Sequence, residues 1–136
     1  MAPNNAYAQY RENSVYTAAP EDLMLMLYNG LVKFLMQAQM SICDKRIEKA
    51  GECIIKAQDI ISEFRYTLDR KYEISCQLDL LYDYMHRRLV EANIKKDEEI
   101  VKEILGHAKE LRDTWENASK LAKQQQKKSA DTQMAK

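Results

Sequence analysis

Thr17-Ala18-Ala19-Pro20-Glu21-Asp22-Leu23-Met24-Leu25-Met26-Leu27-Tyr28-Asn29-Gly30-Leu31-Val32-Lys33-Phe34-Leu35-Met36 carries the signals of a helix start and more apolar surface than one helix face needs. Pro20 suits the first helical position, where its missing N–H would have no intrahelical partner anyway. Glu21 and Asp22 suit the positive end of the helix dipole. From there Leu23, Leu27, Leu31, Phe34, Leu35, Ala38 and Ile42 recur at spacings that put them on one face, so a helix is expected to about Ile42. Leu25, Val32, Met36 and Cys43 widen that face, and Met26 and Met40 fall among the few polar positions Asn29, Lys33 and Gln37. The apolar arc covers about two-thirds of the circumference, against the roughly 100° stripe of an ordinary surface helix.

Outward from this segment, the chain of 136 residues has two prolines and three glycines, with Lys, Glu, Gln, Leu, Met and Ala abundant. So few breakers favour long helices and almost no sheet. Ile47, Ala50, Ile54, Ala57, Ile61, Phe64 and Leu68 keep a helical period, as do Ile74, Leu78, Leu81, Met85, Leu89 and Ala92. A fourth segment carries Ile100, Ile104, Ala108, Leu111, Trp115, Ala118 and Ala122, opened by Asp97 as a candidate N-cap. Four amphipathic helices with short connections predict an all-α fold, an antiparallel up-down four-helix bundle over residues 17–122. Residues 1–16 read as a short N-terminal arm with at most one helical turn around Asn5 to Tyr10. Residues 123–136 lose apolar period and read as a disordered polar tail, with the fourth helix fraying past Lys120.

Composition excludes several function classes. Basic and acidic residues balance at 21 each, so the chain lacks the positive field that nucleic-acid binding needs. The longest uninterrupted apolar run, Leu23 to Tyr28, is far below the ~20 residues of a membrane span. The first residues contain no apolar signal-peptide core, and Cys43, Cys53 and Cys76 form no metal-site spacing, so a reducing cytosol is expected. A di-iron bundle would need Glu-x-x-His on two helices plus two further inward glutamates. The nearest match is Asp83-Tyr84-Met85-His86, and Glu103 and His107 are spaced by four; no metal, cofactor or catalytic residue is assigned. Gly30, Gly51 and Gly106 stand inside helical segments, where close packing is the usual cause.

The first three helices share an apolar excess. Ile55 and Tyr66 lie off the core stripe of the second, Leu80 and Tyr84 off that of the third, while the fourth is clean. Contiguous exposed apolar surface usually marks a partner, and methionine suits a surface that must fit a pliable helix. Tyr7, Tyr10, Leu25, Met26, Met36, Ile55, Tyr66, Leu80 and Tyr84 are the candidate partner-binding residues, and Phe64 and Trp115 are assigned to the core.

Ordered blocks add a family resemblance. Asn5-Ala6-Tyr7-Ala8-Gln9-Tyr10, Val15-Tyr16-Thr17-Ala18-Ala19-Pro20 and Leu23 with Met26-Leu27-Tyr28-Asn29-Gly30 open the series. Lys56-Ala57-Gln58-Asp59-Ile60-Ile61, Leu81-Tyr82-Asp83-Tyr84-Met85, Arg88-Leu89-Val90-Glu91-Ala92-Asn93-Ile94 and Leu111-Arg112-Asp113-Thr114-Trp115 continue it. Together they resemble the bacterial flagellar secretion chaperones that hold flagellin, over about residues 5–118. The resemblance implies a helical bundle in the bacterial cytosol that binds the disordered C-terminal segment of flagellin and keeps subunits from polymerising before export. It also implies an N-terminal arm that covers part of the groove when no client is present. Ala19 departs from it, standing before the proline where a better capping residue is frequent. A homodimer, contacts with other flagellar export proteins, and a structural homo-oligomer burying the same surface against itself are the alternatives left open.

Overall fold

A computed structural model describes residues 20–134, all of whose regular structure is helical. Helix α1 spans Pro20–Cys43, α2 Ile47–Thr67, α3 Ile74–Lys95 and α4 Glu98–Met134. Cross-helix pairs fix the directions. Phe34 faces Lys56 and Gln37 faces Cys53 between α1 and α2, so numbers rise on one helix as they fall on the other. The same antiparallel order joins α2 to α3, where Arg65 meets Asp79 and Gly51 lies beside Asn93. It also joins α1 to α4, where Asp22 meets Lys123 and Gln39 meets Glu98. Each helix packs on its neighbours in the chain and α1 closes the ring against α4, giving the expected up-down bundle.

The helix ends follow local chemistry. Lys45 takes the left-handed conformation (φ 59°), its N–H reaches Ile42 O and Arg46 N–H reaches Ser41 O at 2.8 Å. This Schellman arrangement satisfies the last carbonyls of α1, with lysine where glycine would be unstrained. Lys96 (φ 51°) does the same for α3, with Asp97 N–H on Ala92 O at 3.1 Å. Asp97 is the N-cap its sequence position predicts, its Oδ1 accepting from Glu99 N–H at 2.9 Å. Between α2 and α3, Asp69 organises the loop, accepting from Lys71 N–H through its side chain and from Ser75 Oγ through its carbonyl.

The core contains Leu27, Leu31, Leu35 and Ala38 of α1, Ile54, Ala57, Ile61 and Phe64 of α2, Met85, Leu89 and Ala92 of α3, and Ile100, Ile104 and Ala108 of α4. The helical period had assigned all of these. At its centre Phe64 stacks between two tyrosines, with ring centroids 4.5 Å from Tyr28 and 5.5 Å from Tyr82. The two phenols meet across the bundle diagonal at 2.7 Å.

Several expectations need correction. Val32, counted as an extension of the outward face of α1, is buried because α1 packs between α2 and α4. Ile47 and Ile74, placed on core stripes, are exposed because they begin helices at the ends of the bundle. Trp115 is half-buried at the core margin. Gly106 has open space where a side chain would stand, so close packing does not explain it. Helix α4 continues to Met134 and does not give way to a disordered tail at residue 123. At 1.5 Å per residue it is about 55 Å long against about 36 Å for α1, so its last turns outrun their partners and residues 121–132 are all exposed. Lysine, glutamine and alanine are strong helix formers, and extending an existing helix needs no new nucleus.

Candidate partner-binding site

A groove of about 670 Å³ runs along the seam of α1 and α4. Val32, Met36, Met40 and Cys43 form its α1 wall and Leu105 its α4 floor, with Asn29, Lys33, Gln37, Gln39, Glu98 and Lys109 on the rims. Helical period explains the α1 wall: residues 29, 32, 36, 40 and 43 recur at three and four on the flank next to the core stripe. The α4 floor comes from Leu105, which stands beside the Ile100, Ile104 and Ala108 stripe, one turn after the buried Val101. The fourth helix is therefore not clean, as its single stripe had suggested, and Leu105, next to Ile104 and off the stripe, is the residue that marks its groove side. Met40 is 67% exposed and Met36 51%, so two flexible, polarisable side chains line the open wall. The neighbouring Glu98 carboxylate, as acceptor and as negative charge, raises the pKa of the exposed Cys43 thiol; a proton-bearing thiol is a weak nucleophile.

The structure disperses the residues assigned from sequence over three flanks. Met36 lines the groove; Leu25 and Met26 are half-exposed near the start of α1. Ile55 and Tyr66 stand outward on α2, Tyr66 at 87% exposure, on one stripe three helical turns apart. Leu80 is exposed on α3, one turn before Tyr84. Tyr84 is not an open surface residue: its hydroxyl donates to Glu103 on α4 and its ring meets the edge of His107 at 6.2 Å. Its burial follows from the α3–α4 seam, where Arg88 also reaches Glu103 at 3.4 Å. The hydrogen bond from Tyr84 and the Arg88 charge hold the Glu103 carboxyl below its ordinary pKa. Tyr7 and Tyr10, with the arm, lie outside the described residues.

Among the described residues no three His, Cys, Asp or Glu side chains are grouped to hold a metal ion, and no helix is long and apolar enough to cross a membrane. The geometry offers an apolar slot with polar rims, which is binding chemistry.

Comparison with known proteins places this geometry. The family model described as flagellar protein FliS matches residues 3–122. The chain belongs to the FliS family. The flagellar secretion chaperone FliS of Bacillus subtilis is 47% identical over 118 residues, covering 87% of this chain and 89% of the relative. The FliS chaperone of Salmonella typhimurium is 34% identical over 84% of this chain and 87% of its own length. FliSB of Pseudomonas aeruginosa is 34% identical over 88% of this chain and 99% of its own. The FliS match ends at residue 122, within the exposed part of α4, so most of the overhanging turns lie outside the matched span.

Proposed function

We propose that this chain is a non-catalytic chaperone of the bacterial cytosol that binds the disordered C-terminal segment of flagellin, prevents premature polymerisation and assists export for filament assembly. The observation that carries the reading is the methionine-walled groove at the α1–α4 seam in a member of the FliS family. A client segment orders there as a helix whose apolar side chains enter the groove, so affinity rests on extensive apolar contact that offsets the ordering cost. Release needs no hydrolysis, because the site is a surface. Ile55, Tyr66 and Leu80, and the arm tyrosines Tyr7 and Tyr10, would extend the client contact beyond the groove.

The test is a calorimetric titration of the full chain with a peptide of the cognate flagellin C-terminal segment. Saturable binding at micromolar concentration or tighter is expected, and its absence overturns the reading. Met36→Asp places a charge in the apolar wall at an exposed position, and should weaken that binding at least tenfold with an unchanged melting temperature. A structural homo-oligomer would instead show a concentration-dependent mass by light scattering that the peptide does not change.

A further inference from the structure

The groove has an electrical direction. Lys33 and Lys109 stand at one end and Glu98 at the other, with Met36, Met40 and Leu105 between them. The Gln39 Nε2 to Glu98 Oε1 hydrogen bond (3.3 Å) sets Glu98 beside the last turns of α1. Because α1 and α4 are antiparallel, Lys109 lies level with the Asn29 to Lys33 part of α1. From Lys33 to Cys43 the slot runs about 15 Å, close to three turns of a helix.

Neither lysine forms an ion pair with a carboxylate among the described residues, and Glu98 meets only the neutral groups of Gln39 and Cys43. Elsewhere the same two helices do pair their charges, Lys123 with Asp22 and Lys120 with Glu116. Two unpaired ammonium groups flanking an apolar slot attract carboxylates on whatever enters and repel cations, which fixes register and rejects wrong partners. Full side-chain charges outweigh the half-charge at a helix end, so they, more than chain direction, decide how an occupant lies.

Resting on the reading that this groove holds the client, we propose that its occupant is one amphipathic helix of about three turns with acidic side chains beside Lys33 and Lys109 and a basic residue beside Glu98.

The test uses the full chain and two peptides of the cognate flagellin C-terminal segment, one native and one with every Asp and Glu changed to Asn and Gln. Wild-type protein should bind the native peptide about threefold to tenfold more tightly than the neutralised one, the range for two exposed charge pairs. The Lys33→Gln/Lys109→Gln variant should bind both equally, and Lys33→Arg/Lys109→Arg should keep the preference. Raising NaCl from about 0.05 to about 0.5 M should erase the wild-type preference and leave the Gln variant unchanged. Equal affinity of the wild type for the two peptides, with Met36→Asp still weakening binding at least about tenfold, overturns the charge assignment and leaves the chaperone reading standing. Failure of the wild type to bind either peptide overturns both.

Discussion

Tyr28 and Tyr82 put two hydroxyls in the middle of an apolar core, and each is the other's hydrogen-bond partner. Burial raises the pKa of both phenols, and for Tyr82 the neighbouring Tyr28 adds to it. A buried hydroxyl deprived of its partner costs about 1–3 kcal/mol, whereas removing both members can be nearly neutral. Tyr82→Phe should therefore destabilise the protein in urea unfolding by about that amount, and Tyr28→Phe/Tyr82→Phe should lose less than the sum of the singles; strict additivity would show that the hydroxyls do not interact. Gly106 is the opposite case, since open space surrounds its missing side chain and its φ is ordinary for a helix. Gly106→Ala should stabilise by about 0.5–1 kcal/mol through the lower chain entropy of the unfolded state, read as a raised urea midpoint at unchanged slope. Some single residues were legible from sequence: Asp97 announced itself because capping is local. Tyr28 did not, because its burial depends on Phe64 and Tyr82 arriving from two other helices.

Among the elements, α2 and α3 are clasped at one end by charge. Arg65 bonds Asp79 at 2.9 Å and Asp83 at 3.1 Å, while Arg70 and Arg87 hold the outer oxygens. Hydrogen bonds from Arg65 lower the pKa of Asp79, and those from Arg87, with Arg65 behind it, lower that of Asp83. Both carboxyls thus titrate lower folded than unfolded. Their contribution is complete above the unfolded value near 3.9 and disappears as pH falls through the lowered folded values. Below about pH 4 the wild type should lose thermal midpoint more steeply than Arg65→Met; parallel curves would assign the acid sensitivity elsewhere. The four helices were legible because their apolar period is long and uninterrupted. The end of α4 was not, since an apolar period reports only where a helix has apolar partners, and the exposed overhanging turns bury no apolar side chain. The flank that α4 gives to the groove was hidden for a related reason. Leu105 looks like a widening of the core stripe until ring closure brings α1 alongside.

At the scale of the molecule, a ligand that binds only the folded chain stabilises it by mass action. Flagellin peptide at a hundred times its Kd should add about 2.7 kcal/mol and raise the thermal midpoint by several degrees, an effect that Met36→Asp should cut to about 1.4 kcal/mol or less at the same peptide concentration. Sequence alone named the family and the bundle, and put Met36 outside the core, where the structure has it lining the groove. It could not rank Met36 against Leu80 or Tyr66, because which outward flanks merge into one groove is decided by the order of helices around the ring. That order has a consequence in time. The seam joins the first helix of the bundle to the last, so the ribosome must deliver α4 before the groove has a second wall. A half-made copy exposes Met36 and Met40 with nothing opposite them. On the proposed reading of the groove, client capture would belong to finished molecules and not to nascent chains.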